Sequence, residues 1–258
     1  MSQRLPRNYT PKNYDLFLHI TPQQLPFDAN VTITFEKNED SDKAYLYAYT
    51  NIDIKSIIQN GIPLTYTVDY PLLTINRSID PDQDISSHPI TINYTIEPIT
   101  TEYQGFYPYD DGFFTKFEPN HAHRFLPCFD DPIVRSTFSV KVRIPSNLMG
   151  LSNMPIESTT SLDDEIEIKF YQTPPMCTYL LALFVDDFGM IEGVTKSGTP
   201  VKFYSKRGSE EMLPRCGHSC SQLDGRENKG EIRAPCRSTC VSSWTQNRDG
   251  KLRPCCSS

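Results

Sequence analysis

Apolar and polar residues alternate along much of the first 208 residues. Alternating runs rich in β-branched and aromatic residues occupy residues 15–20, 31–35, 44–48 and 90–96, and similar runs recur at 136–144, 165–171, 179–188 and 200–204. This period of two is typical of half-buried strands. Clusters of turn-forming residues separate the runs, and no amphipathic helix longer than about two turns is evident. We therefore predict an all-β fold of large, twisted, mostly antiparallel sheets.

The segment Thr178–Asp187 differs from the other runs because its apolar residues are nearly continuous. It follows the sequence Pro174-Pro175-Met176, in which two prolines restrict the backbone. A continuous apolar run is typical of a strand that is buried on both faces. We expect a rigid turn that leads into one such strand.

The composition changes near Gly208. The residues before this point include all 14 Tyr and all 14 Phe, whereas six of the 8 Cys and the single Trp follow it. A packed domain rarely changes composition so abruptly. We predict a β-domain over residues 1–208 and a Cys-rich, divergent tail over residues 209–258, which we expect to be irregular and disordered.

Charge and hydropathy argue against two kinds of partner, nucleic acid and membrane. The net charge of -7 gives little support for nucleic-acid binding, which needs basic residues that displace counterions. No stretch approaches the roughly 18 apolar residues of a membrane-spanning helix, and the first residues lack the apolar segment of a signal peptide. We expect no nucleic-acid partner, no membrane span and a cytoplasmic location.

Three segments resemble one family of enzymes. Residues 5–16 (LPRNYTPKNYDL) resemble the pattern LPxxxxPxxYDL, and residues 114–132 (FTKFEPNHAHRFLPCFDDP) resemble TQFEPxxARxxFPCFDEP. Residues 151–155 (LSNMP) and 170–182 (FYQTPPMCTYLLA) match LSNMP and FxxTPPMxTYLLA almost completely. In this order and spacing, they are similar to the N-terminal domain of the aminopeptidase-N-like (gluzincin) zinc metallopeptidases. The resemblance covers roughly residues 4–208 and implies a saddle-like β-sandwich that faces the substrate.

The resemblance assigns a role to Glu118. It occupies the position of a family glutamate that binds the free α-ammonium group of a peptide, and a partly desolvated carboxylate does this through a charge-assisted hydrogen bond. The alternative is that Glu118 only caps the turn into residues 120–124. Lys116 departs from the glutamine usual in the family, so its cation either competes with the ammonium for Glu118 or points into solvent.

Two histidines lie beside this motif. His121 and His123 are two residues apart, and the nearby potential metal ligands are Cys128, Asp130 and Asp131. Histidine pairs are more often surface or hydrogen-bonded residues, so we predict no metal site here. Cys128 is predicted to be a buried, small apolar residue. Arg124 is predicted to form a structural ion pair with Asp130 or Asp131.

The catalytic motifs of the family are absent. None of the five histidines belongs to an HExxH sequence, and the exopeptidase signature GAMEN is not found. We therefore expect a catalytically incomplete chain that is inactive alone, with zinc expected only in an intact family member. Its expected partners are a missing catalytic domain and, in the intact enzyme, the N-terminus of a peptide. The alternative is a non-enzymatic β module that binds peptides or proteins.

The tail admits three interpretations. Its six cysteines and His218 suggest a zinc knuckle or a disulfide cluster, but their spacings fit no strong metal signature. The third interpretation is a shift of the reading frame. When codons are read one base later, residues 216–227 can encode AATAALNWMEEK and residues 248–256 can encode AMENFGLVV. Both strings resemble the start of the family's catalytic domain, so we favour a frame-disrupted chain.

Overall fold

The structure is a computed structural model that describes residues 4–77, 84–194 and 200–207, together with the backbone of residues 244–246 and 252–254. The chain divides into two compact units, residues 1–185 and 186–258. Each unit is described by itself. The three interpretations of the tail (a zinc knuckle, a disulfide cluster or a shifted reading frame) concern residues outside the described ones.

Strands make up about half of the first unit. Their bounds are β1 (Tyr9–His19), β2 (Phe27–Lys37), β3 (Lys43–Tyr47), β4 (Ile52–Gln59), β5 (Ile62–Pro63), β6 (Tyr66–Asp69), β7 (Leu72–Asn76), β8 (Ile90–Ile96), β9 (Gly105–Tyr109), β10 (Gly112–Lys116), β11 (Thr137–Pro145), β12 (Met149–Ser152), β13 (Ile156–Leu162), β14 (Glu165–Phe170) and β15 (Leu183–Asp186). Two short 3-10 turns, Ala122–Arg124 and Thr178–Leu180, interrupt them.

Eight of these strands form the main sheet, in the order β13-β14-β11-β1-β2-β8-β4-β5. β1 pairs with β11 in parallel, whereas every other neighbouring pair in this sheet is antiparallel. Two smaller sheets have the orders β12-β15-β10-β9 and β3-β7-β6. The predicted all-β fold with mostly antiparallel sheets is confirmed.

Alternation along the strands produces the core. In β1 the side chains of Tyr14, Leu16 and Leu18 are buried, and the residues between them face outward. Tyr14 lies opposite Phe138 of β11, and the two rings stack with their centroids 5.0 Å apart. Each large apolar side chain that is buried in this way contributes about 1.5–3 kcal/mol to folding. The main sheet is therefore fixed in register by the residues that the sequence pattern singles out.

The β9–β10 hairpin carries the candidate site. The strands are joined at Asp110 and Asp111, and Asp110 takes a positive φ of 52°. Phe113 of β10 is turned into the core, where its ring lies 5.1 Å from that of Phe27 and 5.8 Å from that of Phe106. This packing anchors β10 between β9 and β15, so the residues at its end stand on a rigid support.

The prediction of a continuous strand over residues 178–187 was wrong. Thr178–Leu180 form a 3-10 turn, and the strand that follows it is only Leu183–Asp186. The backbone N–H of Leu181 bonds to the carbonyl of Thr178, and the N–H of Ala182 bonds to the side chain of Asn153. Because these groups are already paired, this part of the run cannot enter a ladder.

The second unit contains the antiparallel strands β16 (Phe188–Val194) and β17 (Pro200–Lys206). Ion pairs link Lys202 to Glu192 at 2.8 Å and Arg207 to Asp187 at 2.7 Å. Strands β18 (Trp244–Gln246) and β19 (Leu252–Pro254) pair antiparallel. None of the helices in the described part of the chain is long and apolar enough to cross a membrane.

Replacing Gly105 with alanine should destabilise the first unit by about 2 kcal/mol or more. Gly105 has a φ of +77°, and a Cβ placed there would lie 2.8 Å from the Cβ of Arg124. Gly61→Ala is the matched control, because Gly61 has a similar φ of +78° with nothing within 4 Å of the added Cβ. Urea unfolding measures both changes. Equal losses in the two variants would contradict the steric explanation.

Candidate functional site

The end of β10 presents two charged side chains, Lys116 and Glu118. Residues 112–115 are all buried, and beyond them Phe117 is buried whereas Lys116 and Glu118 are exposed. β10 ends at Lys116, and Glu118 lies two residues further on, in the turn that follows. Both residues that the sequence analysis singled out are therefore exposed at the C-terminal end of β10, and the buried Phe117 between them packs against Phe125.

Glu118 does not cap the turn that follows it. The turn is closed by the N–H of His121, which donates to the carbonyl of Phe117 at 2.7 Å, and the 3-10 turn has no side-chain cap. Within the described part of the chain, the side chains of Glu118 and Lys116 have no hydrogen bond and no ion pair. No contact therefore supports the capping alternative, and the Glu118 carboxylate is available to a ligand.

The buried carboxylate of Asp130 holds the loop after Glu118. Its side chain is 2% exposed, and it accepts a hydrogen bond from Nδ1 of His123 at 2.8 Å. The same oxygen accepts the backbone N–H of His123 at 3.3 Å, and the other oxygen accepts the hydroxyl of Thr178 at 2.8 Å. Asp130 thus links the turn after Glu118 to a segment 48 residues further along the chain.

Arg124 does not pair with Asp130 or Asp131, so that prediction was wrong. Its guanidinium bonds to Glu102 and lies 4.5 Å above the centre of the Tyr49 ring. The side chain extends towards the segment before β9 because Gly105 leaves room for it. A cation over an aromatic face is stabilised by the ring quadrupole.

Asp131 pairs instead with Arg7, at 3.2 Å, and its other oxygen accepts the N–H of Ile133. This contact ties the segment before β1 to the loop. Arg7 is exposed, so the ion pair contributes little to stability.

Buried aromatic residues and Cys128 lie beneath the loop, and two tyrosine hydroxyls bond to its backbone. The hydroxyl of Tyr14 accepts the N–H of Phe129 at 3.1 Å, and the hydroxyl of Tyr94 donates to the carbonyl of Phe125 at 3.2 Å. Cys128 is completely buried, and burial raises the pKa of its thiol well above the ordinary value. The prediction that Cys128 is a small, buried core residue is confirmed.

His121 and His123 lie side by side, with ring centroids 6.5 Å apart. Burial lowers the pKa of His121, and the positive charge of Arg124 lowers it further, so its neutral form is favoured. No group of three or more His, Cys, Asp or Glu is placed to hold a metal ion in the ranges 4–77, 84–194 and 200–207. The described residues therefore do not provide a zinc site.

Sequence reasoning missed the contacts that position the loop. The roles of Asp130 and His123 depend on Thr178, and that of Arg124 depends on Tyr49 and Glu102. The motif FEPNHAHRFLPCFDD contains Asp130, His123 and Arg124. The spacing within the motif does not indicate which partners come from distant strands.

Comparison with known proteins identifies the class. Residues 10–180 match the family model of the Peptidase M1 N-terminal domain, which is about two thirds of the chain. The chain therefore belongs to the family of peptidase M1 N-terminal domains, as the three sequence motifs indicated.

Three curated relatives agree with this assignment. Aminopeptidase N from Acetobacter pasteurianus is 28% identical over 230 residues, which are 85% of this chain and 64% of that protein. Probable aminopeptidase 1 from Saccharolobus solfataricus is 30% identical over 207 residues, 76% of this chain and 25% of that protein. Endoplasmic reticulum aminopeptidase 1 from Homo sapiens is 28% identical over 220 residues, 78% and 23% respectively. The chain thus spans less than two thirds of the length of each.

Solved structures share the fold. The crystal structure of an M1 zinc metallopeptidase from Deinococcus radiodurans has a TM-score of 0.67 and 20% identity, covering 80% of this chain and 48% of that one. A mutant of that enzyme bound to a Tyr-Ser-Ala substrate has a TM-score of 0.68, covering 80% and 49%. At this identity, the likeness establishes the fold alone.

Replacing Asp130 with alanine should destabilise the first unit by about 3 kcal/mol, because the buried donors of His123 and Thr178 lose their acceptor. Arg7→Ala, which breaks the exposed pair with Asp131, is the control and should cost less than about 1 kcal/mol. Urea unfolding followed by circular dichroism gives both values. Similar losses in the two variants would show that Asp130 is not the main tie of the loop.

Proposed function

We propose that this chain supplies the substrate-facing β-domain of a zinc aminopeptidase, an enzyme that removes N-terminal amino acids from peptides, and that Glu118 anchors the substrate α-ammonium. One observation carries the proposal: Glu118 is exposed in the turn just after β10, and its side chain has no partner among the described residues. Membership in the peptidase M1 N-terminal domain family supports it.

The chemistry of the anchor is simple. A carboxylate accepts charge-assisted hydrogen bonds from an ammonium group, and such bonds are about twice as strong as neutral ones. Glu118 is exposed, so water competes for these bonds and the isolated domain binds an amine weakly. A neighbouring catalytic domain that excludes water from this face would strengthen the contact. The weak site of the domain becomes an effective anchor only in the assembled enzyme.

We propose no role for zinc within this domain. The described residues offer no set of metal ligands, and the sequence contains no HExxH motif. In the proposed enzyme, the partner catalytic domain holds the metal and the base. The β-domain binds and orients the amino end of the peptide.

The amine anchor can be tested on the full chain by NMR. In the ¹⁵N-labelled protein, the backbone amides of Phe117 and Asn120 should shift when Ala-Ala-Ala amide is added at millimolar concentrations. N-acetyl-Ala-Ala-Ala amide should leave them unchanged, because it lacks the ammonium group. Glu118→Gln should abolish the response, since the amide side chain carries no charge.

Glu39→Gln is the matched control, because Glu39 is also an exposed glutamate without a side-chain partner among the described residues. This variant should respond like the parent protein. A response that survives acetylation or Glu118→Gln would refute the anchor. Micromolar binding by the chain alone would instead favour the non-enzymatic binding module.

The proposal extends to the coding sequence. We propose that the catalytic part continues in a shifted reading frame, because residues 216–227 and 248–256 can encode two strings that resemble that domain. Sequencing the coding DNA should reveal codons that spell ALNWMEE and AMEN one base out of frame, with a single-base discrepancy near codons 206–216. An uninterrupted frame whose codons do not spell these strings would end the hypothesis.

A further inference from the structure

Strand β13 forms one edge of the main sheet, and that edge is open. The strand is seven residues long, and every one of its residues is exposed. It pairs with β14 on one side, and no strand among the described residues pairs with its other side. A free edge presents a row of unpaired backbone N–H and C=O groups, to which another strand can bond.

The turn after β13 determines which of its backbone groups face outward. A two-residue turn joins β13 to β14, and its first residue, Asp163, takes the positive φ of 48° that such turns require. The pair that flanks this kind of turn, Leu162 with Glu165, is hydrogen-bonded, and bonded residues alternate along an antiparallel strand. The N–H and C=O groups of Thr159 and Ser161 therefore point away from β14.

The other edges of the three sheets in the first unit are short or blocked. β5 is two residues long and includes Pro63, and β6 and β12 have four residues each. In β9 the carbonyl of Phe106 accepts the N–H of Ile99 at 2.7 Å, and Pro108 has no N–H to donate. β3 bonds through Tyr47 to a segment outside its sheet. Short strands, prolines and lysines are the usual protection of an edge, and β13 has none of these.

The middle of β13 is uncharged and complementary to itself. Residues 158–161 read Ser-Thr-Thr-Ser, and the one charged residue of the strand, Glu157, is paired with Lys169 at 2.8 Å. When two copies run antiparallel about a two-fold axis at Thr159, the outward backbone groups of Thr159 meet those of its copy. The residues on either side of it then face each other as serine–threonine pairs. Such pairs are favourable across strands, and no like charges meet.

We propose that β13 is a dimerisation surface, through which two copies of this chain join their main sheets into one continuous sheet. The occupant of the edge is a second copy because a two-fold axis gives every outward group of β13 an equivalent partner. The opposite edge of the main sheet ends in the two-residue β5, so the assembly closes at two copies. This inference does not depend on the role of Glu118.

Sedimentation velocity of the full chain tests the dimer. The protein is measured from low to high micromolar concentration, with a reducing agent that prevents disulfides between the cysteines of two tails. The parent should change from monomer to dimer over this range. Thr159→Lys should raise the dissociation constant by about tenfold or more, because it places like charges opposite each other at the axis. Thr159→Val, which is β-branched and uncharged, should dimerise like the parent.

Thr67→Lys is the matched control, because Thr67 is also an exposed threonine, on the edge strand β6. It adds the same charge away from β13 and should leave the dissociation constant unchanged. Thermal unfolding checks that every variant is folded.

Hydrogen exchange tests whether the backbone of β13 makes the contact. The N–H groups of Thr159 and Ser161 should exchange about tenfold more slowly when the dimer predominates than in dilute monomer. In Thr159→Lys, the N–H of Ser161 should exchange rapidly at the concentration that protects it in the parent.

A parent that sediments as a monomer at every concentration would overturn the inference. A dimer that Thr159→Lys leaves intact, or that Thr67→Lys weakens equally, would also overturn it, because the contact would then lie elsewhere or depend on net charge. Slow exchange of Thr159 and Ser161 in a monomer would show that another segment of the same chain covers the edge, which would exclude the dimer.

Discussion

The buried carboxylate of Asp130 is the interaction on which the candidate site depends. It receives two donors from His123 and one from Thr178, and these come from segments that are distant in sequence. A buried carboxylate is costly unless its oxygens are hydrogen-bonded, so this group requires the loop to adopt one arrangement. The turn after Glu118 is closed by backbone bonds, and Asp130 fixes where that turn lies. An exposed functional residue is thereby positioned by a buried one that does not touch the ligand.

The two halves of the site have opposite physical requirements. Most of the inward residues of β10 and the loop are aromatic and pack on the core, whereas the side chains of Lys116 and Glu118 are exposed to water and have no partners among the described residues. Leaving two charges unsatisfied by the protein contributes nothing to folding. Such residues are typical of binding surfaces, where local stability and function favour different side chains. The rigid support beneath them lowers the entropic cost of binding a ligand.

The fold could be predicted from the sequence because strand alternation is a local property. The apolar period of two in residues 15–20 and 90–96 specifies which side chains are buried, and the structure buries them. The failed prediction at residues 178–187 has a physical cause, since an apolar run does not reveal that the backbone N–H of Ala182 will bond to Asn153. The partners of Arg124 and Asp130 were missed for a similar reason. Tyr49, Glu102 and Thr178 contact Arg124 and Asp130 only after distant strands have assembled. A single sequence does not indicate which distant residues will become neighbours.

The parallel pairing of β1 with β11 has a consequence for synthesis on the ribosome. Asn13 lies beside Thr137 in this ladder, 124 residues later in the chain. At a translation rate of about 5–20 residues per second, one edge of β1 waits about 6–25 seconds for its neighbour. During that time the nascent chain presents an open row of backbone donors and acceptors, the kind of surface on which unrelated strands associate. Early protection by a chaperone would therefore matter more to this domain than to one built from consecutive hairpins.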